Sequence, residues 1–167
     1  MNTFRTIVLI LASISFIVVI GAGVYEHAAL VPVWASAPPA SLAMYQGEYA
    51  ITPASFWISI HPITMLLLLL SLAFNWKSER RNSILTTIIG YAIVLAVTFL
   101  YFVPELMSIT QSVYSATIDP ELTQRAQSWE FWSQVRLASL LLMAFILLLG
   151  LSKSPETLRR RHGYVSR

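Results

Sequence analysis

The stretch that decides the fold is residues 6–29, TIVLILASISFIVVIGAGVYEHAA, an apolar run that ends with the polar pair Glu26-His27. No residue from Ile7 to Ile20 is charged. A helix needs about 20 predominantly apolar residues to cross a bilayer, so this stretch predicts a membrane span. Charged side chains near lipid are costly and usually face protein or a water-filled cavity, where they mark a site. The sequence therefore predicts a span with a polar site at its far end.

The composition of the whole chain is that of an integral membrane protein. Of its 167 residues, 56% are hydrophobic and only 11% are charged, whereas soluble domains carry about 25% charged residues. The absence of cysteine excludes disulfides, thiolate metal sites and cysteine nucleophiles. The net charge of +3 comes from basic residues near helix ends, which argues against a nucleic-acid partner. The expected partners are membrane lipid, a hydrophobic small molecule, and further copies of the chain or a larger membrane complex.

Four segments are long and apolar enough to span the bilayer, so we expect an all-α membrane protein with a four-transmembrane-helix bundle. The first segment resembles a signal peptide, but Pro38 directly after Ala35-Ser36-Ala37 should block cleavage, so we expect it to remain as a helix. The expected helices lie near residues 6–29, 53–76, 83–103 and 120–151, in one domain (1–152) followed by a basic cytoplasmic tail (153–167).

Local signals mark where two of these helices begin. Asp119-Pro120-Glu121 combines a capping residue, a proline and an acid in the first turn, which predicts the start of the fourth helix. Thr52-Pro53 predicts a cap and a first helical residue for the second helix. Pro62 falls inside that helix, where we expect a kink.

The distribution of lysine and arginine predicts the orientation. Nine basic residues lie on the side of the two termini and of the loop between helices two and three, against Arg125 alone on the other side. This bias predicts cytoplasmic termini in a bacterial inner membrane. The loop of residues 31–52, on the outer side, is rich in proline and aromatic residues, so we expect it to cap the bundle.

Helical heights bring the ionisable side chains to one level. At 1.5 Å per residue, His61 and Arg136 lie about 24–26 Å from the basic anchors of their helices. Glu26 and Glu105 lie about 32–36 Å from theirs, just above. With a hydrocarbon core of about 30 Å, the two carboxylates are at the outer boundary of the membrane, and His61 and Arg136 lie just below it.

A cluster of Glu, His and Arg with aromatic neighbours predicts a pocket open toward the outer leaflet, suited to a flat amphipathic molecule of quinone-like or phenolic type. Arg136 would hold an anionic oxygen, and His27 or His61 would move a proton near neutral pH. Alternatively, Arg136 forms a structural ion pair with Glu26 or Glu105, and the tryptophans are an interface belt. The residues expected in the pocket or ion pair are Glu26, Glu105, Tyr25, Trp57, Tyr101, Trp129 and Trp132.

Three short motifs carry a resemblance to a known family. Tyr25-Glu26-His27 ends helix one, Val103-Pro104-Glu105-Leu106 follows helix three, and Trp129 precedes Arg136 on helix four. This pattern resembles the anthrone-oxygenase-like family of small four-helix integral membrane proteins. The resemblance implies oxygenation of an anthrone to an anthraquinone without a recognised metal or flavin. His27 or His61 would be the base, and Arg136 would stabilise the enolate oxygen.

The chain departs from the family pattern at three places. Ala28 stands where the family usually has proline, and Glu105-Leu106 where it commonly has Thr-Asn. Ser133 stands where it often has a histidine, three residues before Arg136.

Three functions stay open on the sequence alone. The first is a cofactor-independent oxygenase acting on a phenolic or quinoid substrate. The second is a haem or metal protein, with His27 and His61 as ligands beside Glu26 and Glu105, although the chain lacks the E-x-x-H pair of ferritin-like sites. The third is a non-catalytic membrane subunit or lipid binder.

Overall fold

Four long helices make up the structure, a computed structural model that describes residues 2–155. Each helix is long and apolar enough to cross a membrane, which confirms the predicted all-α, four-helix class. The predicted basic tail lies outside the described residues from position 156 onward. The four helices, called spans 1 to 4 below, are Asn2–Trp34, Ala54–Asn75, Arg81–Thr110 and Pro120–Leu151.

The spans alternate in direction, so the bundle has two distinct ends. The terminal end holds the start of span 1, the loop of residues 76–80 and the end of span 4. The loop end holds the two longer connections, residues 35–53 and 111–119. Span 1 packs mainly against span 2, span 3 packs mainly against span 4, and span 1 also contacts span 4.

Spans 1 and 3 run further than the sequence predicted, because each contains a π-helical turn. The first π turn is Glu26–Leu30, and the second is Thr98–Phe102. In each, the next N–H donates to the carbonyl five residues earlier, from Val31 to Glu26 and from Val103 to Thr98.

A proline stands two residues after the end of each π turn, Pro32 in span 1 and Pro104 in span 3. Proline has no N–H, and in an α-helix its ring collides with the carbonyl four residues earlier. The wider turn provides room for the ring, so the helix continues through a residue type that often ends one. The α-helical parts on either side are Asn2–Tyr25 and Val31–Trp34 in span 1, and Arg81–Val97 and Val103–Thr110 in span 3.

Span 2 is α-helical on both sides of Pro62. Its buried residues are Thr64, Leu68, Ser71 and Asn75, whose spacing of three and four places them on one helix face. The helix begins at Ala54 after Pro53 with no side-chain cap, so the predicted Thr52 cap is wrong. The hydroxyl of Ser55 instead donates to the Thr52 carbonyl. The Asp119 cap of span 4 is confirmed, because the Asp119 carboxylate accepts the N–H of Glu121 at 2.9 Å and that of Leu122 at 3.2 Å.

Two hydrophobic clusters form the core. The larger lies among the spans and includes Phe16, whose ring meets that of Tyr91 edge to face. The second, the loop-end cluster, joins the connection of residues 35–53 to the ends of spans 3 and 4. Trp34 is at its centre, with ring contacts to Tyr45 and Trp129. The aromatic cap predicted for the loop is therefore a packed part of the fold.

The terminal end is held by the buried side chain of Arg80. Its guanidinium donates to the Lys153 carbonyl at 2.9 Å, the Leu151 carbonyl at 3.3 Å and the Thr6 hydroxyl at 2.9 Å. One side chain from the loop between spans 2 and 3 thus connects the start of span 1 to the end of span 4. The last carbonyls of a helix have no partner within it, and Arg80 supplies donors to them.

Candidate functional site

Arg136 is the centre of the polar residues near the loop end. Its guanidinium donates to the Thr98 hydroxyl at 3.2 Å and to the Ser133 hydroxyl at 2.9 Å. The guanidinium carbon also lies 4.3 Å from the centre of the Phe102 ring, which is cation–π geometry. Thr98 and Phe102 are the first and last residues of the second π turn, so this turn positions the Arg136 side chain.

His27 reaches Arg136 through one serine. The His27 Nε2 atom lies 3.1 Å from the Ser133 Oγ, the same oxygen that accepts from Arg136. The hydroxyl has one hydrogen and two acceptor sites, so it can donate to Nε2 or accept from it, according to the tautomer of His27. The Nδ1 atom is buried and has no hydrogen-bond partner within residues 2–155.

Glu26 belongs to a separate set of contacts, so the two neighbours Glu26 and His27 point to different partners. The Glu26 carboxylate accepts from the Trp57 indole at 2.8 Å. The Trp57 ring stacks on that of His61, with centroids 5.3 Å apart. The His61 Nδ1 lies 2.7 Å from the Tyr91 hydroxyl. This network connects spans 1, 2 and 3, and His61 has its contacts here rather than at Arg136.

Tyr45, in the connection of residues 35–53, lies close enough to Glu26 for the two side chains to interact electrostatically. Burial, followed by this carboxylate, raises the pKa of Tyr45 to about 12. The Tyr45 hydroxyl therefore stays protonated at neutral pH, and the cap presents a neutral group to the acid beneath it.

The predicted ion pair between Glu105 and Arg136 is wrong. Glu105 pairs with Arg125 through two hydrogen bonds of 2.8 and 2.9 Å, and Arg125 also donates to Ser108. Spans 3 and 4 are antiparallel, so the part of span 3 beyond the second π turn lies against the first turns of span 4. Arg136 is about 16 Å further along span 4 than Arg125, at 1.5 Å per residue, and out of reach of Glu105.

A groove with a cavity volume of about 470 Å³ lies on the outside of spans 3 and 4. Arg136 contributes its polar part, and Tyr101, Phe102 and Trp132 contribute aromatic walls. Tyr101 and Trp132 are exposed side chains, so in a bilayer the groove opens toward lipid. The remaining lining residues are Ile93, Val94, Val97, Val135 and Ser139.

The structure brings together only part of the predicted site. Of the residues expected at a pocket, Arg136, Tyr101 and Trp132 line the groove. Trp129 is buried in the loop-end cluster, where its indole donates to the Phe102 carbonyl at 2.9 Å. Tyr25 is 62% exposed on the surface of span 1. The lining of the groove does not include Glu26, His27, Trp57, His61 or Glu105.

Three residues that position Arg136 were not among the predicted site residues: Thr98, Phe102 and Ser133. Ser133 could have been found, because a residue three positions before Arg136 shares its helix face. Phe102 and Thr98 depend on the second π turn, whose sequence signal is Pro104.

Within residues 2–155, no group of three or more His, Cys, Asp or Glu side chains could hold a metal ion. The contacts of the two histidines differ, since His27 meets Ser133 and His61 meets Tyr91. No protein-family model, curated protein or solved structure matches the chain. The resemblance to the anthrone-oxygenase-like family therefore stays a prediction.

Proposed function

We propose that this integral membrane protein binds a flat hydrophobic molecule with an oxygen at one edge, of phenolic or quinone-like type, in the groove between spans 3 and 4. The observation that carries the proposal is a guanidinium with unused donors beside a wall of aromatic rings. Arg136 donates to two protein hydroxyls, which leaves most of its N–H groups without a partner in the described chain. An oxygen of the ligand would accept from them.

The walls of the groove suit the flat part of such a molecule. Tyr101, Phe102 and Trp132 offer ring faces and edges, and the other walls are largely aliphatic. Ligand sites of small molecules are commonly cavities of about 300–1,000 Å³ that are mostly apolar with few polar groups. Since the groove opens on the lipid side, a hydrophobic molecule would enter it from the bilayer.

Binding is the function proposed here, rather than oxygenation of the ligand. The oxygenation implied by the family resemblance needs a base against the reacting carbon. Neither His27 nor His61 lines the groove, and His27 would act only through Ser133 and Arg136. A lipid acyl chain is the competing occupant, because every bilayer supplies it.

The binding experiment uses the protein in nanodiscs, with 2-naphthol and 1,4-naphthoquinone as probes and empty nanodiscs to correct for partitioning. We expect saturable binding that Trp132→Ala weakens about tenfold, since one aromatic contact contributes about 0.5–1.5 kcal/mol beyond burial. The matched control is Phe145→Ala, which removes an exposed ring of the same span outside the groove lining. Equal effects of the two variants, or uptake no greater than by empty nanodiscs, would overturn the proposal.

We further propose that the terminal end faces the cytoplasm and that the groove lies in the outer half of the membrane. Arg5, Lys77, Arg80, Arg81 and Lys153 all lie at the terminal end, which fits the positive-inside rule. The chain has no native cysteine, so an introduced cysteine is the one thiol that can be labelled. In intact cells, an impermeant maleimide should label Tyr49→Cys but not Lys77→Cys. The reverse pattern would invert the proposed orientation.

A further inference from the structure

We infer that the ligand of the groove is an anion, with a planar carboxylate or phenolate facing Arg136. This inference rests on the proposed binding function and adds the charge of the ligand to it. Its starting observation is that the positive charge of Arg136 has no counter-charge in contact. Within residues 2–155, no carboxylate oxygen lies within 4.0 Å of its nitrogens.

The nearby carboxylates have other partners. Glu26 accepts from Trp57 and acts on Arg136 only through space, without an ion pair, whereas Glu105 forms its ion pair with Arg125. The groups that do contact the guanidinium are neutral: two hydroxyls and the Phe102 ring. A charged side chain inside a membrane helix usually pairs with an opposite charge, because an isolated one costs about 2.5–3.5 kcal/mol even on the most lenient scales. An anionic ligand would supply an opposite charge in direct contact with the guanidinium, which Glu26 does not.

The geometry favours a planar oxyanion over a lipid phosphate. The guanidinium is a planar fork that binds two oxygens of a carboxylate or of a phosphate, and hydrogen bonds with a charged partner are roughly twice as strong as neutral ones. The choice between the two anions therefore depends on the position of Arg136. Arg136 also lies well along span 4, with the loop-end cluster and the Arg125–Glu105 pair between it and the end of the bundle. A headgroup phosphate stays at the interface, whereas a flat acid is small enough to enter the groove with its ring against Trp132.

The decisive experiment compares two fluorescent probes of almost equal shape, anthracene-2-carboxylate and anthracene-2-carboxamide, in nanodiscs of neutral lipid at pH 7. We expect the wild-type protein to bind the carboxylate about tenfold more tightly, and Arg136→Gln to abolish that preference. Arg136→Lys keeps the charge but loses the fork, so it should keep only part of the preference. Adding vesicles that contain phosphatidic acid tests the phosphate alternative, since a phosphate-binding site would lose the carboxylate to competition.

Each outcome separates the inference from the proposed function. Equal binding of both probes to the wild type would overturn the anionic ligand while the groove proposal stands. A preference that persists in Arg136→Gln, or competition by phosphatidic acid, would also overturn it. Absence of binding by both probes and by 2-naphthol would overturn the groove itself. Should Arg136→Gln fail to fold, the wild-type preference decides the charge, and an equal weakening of both probes in Trp132→Ala decides the location.

Discussion

Trp34→Ala is expected to lower the free energy of unfolding by about 3–5 kcal/mol, the range found when a large buried aromatic is truncated. Trp34 is only 1% exposed and is the centre of the loop-end cluster. Its ring centroid lies 5.4 Å from that of Trp129 and 6.3 Å from that of Tyr45. Removing the ring therefore leaves a cavity between the connection of residues 35–53 and span 4.

The measurement is unfolding in mixed micelles with increasing dodecyl sulfate, followed by far-ultraviolet circular dichroism. Trp132→Ala is the matched control, because it removes the same side chain from a site that is 52% exposed. We expect the control to lose less than about 1 kcal/mol, since little buried surface disappears. Similar losses of unfolding free energy for the two variants would mean that the connection of residues 35–53 is not packed as described.

Arg80→Ala should have the second largest effect, a loss of about 2–4 kcal/mol, because hydrogen bonds to charged groups contribute about 1.5–3 kcal/mol each and are not additive. The substitution removes the donors to the carbonyls of Leu151 and Lys153 and to the Thr6 hydroxyl. These oxygens would then have to find water or remain unpaired near the membrane surface.

The adjacent Arg81 offers a control for Arg80 with the same charge and almost the same position. Arg81 is exposed, and its guanidinium carbon lies 5.4 Å from the centre of the Trp76 ring. A cation–π contact at an exposed site contributes about 0.5–1 kcal/mol, so Arg81→Ala should lose no more than that in the same unfolding experiment. A loss at Arg81 equal to that at Arg80 would indicate that net charge, rather than the Arg80 hydrogen bonds, stabilises this end.

The spans and their buried faces could be predicted because the bilayer demands long apolar helices and helices repeat at a fixed spacing. The face of span 2 with Thr64, Leu68, Ser71 and Asn75 follows from that spacing alone. The Asp119 cap is equally local, since the side chain and the N–H groups that it accepts are two and three residues apart. Such features depend on near neighbours in the sequence.

The partners of the polar side chains could not be predicted in the same way. The heights and side-chain directions expected for residues beyond Glu26 and Thr98 were based on a regular α-helix. Each π turn changes both the height and the direction. The charge of Glu105 meets Arg125 instead of Arg136, because spans 3 and 4 are antiparallel and Arg136 lies too far along span 4. The link from His27 to Arg136 through Ser133 depends on the packing of two spans that are far apart in the sequence.

The π turns also determine which kind of genetic change this protein can absorb. A π turn holds one residue more than an α-helical turn of the same height, so a chain that loses one residue from 98–102 can close the turn into a regular α-helix with the residues beyond it still in phase. Glu105 would keep its position against Arg125, but the ring of Pro104 would meet the carbonyl that the wide turn had kept clear. A substitution in the same turn changes one side chain and leaves the wide turn in place. In both helices the extra residue is therefore what allows a proline to be inherited inside a span, and an in-frame single-codon deletion removes that allowance.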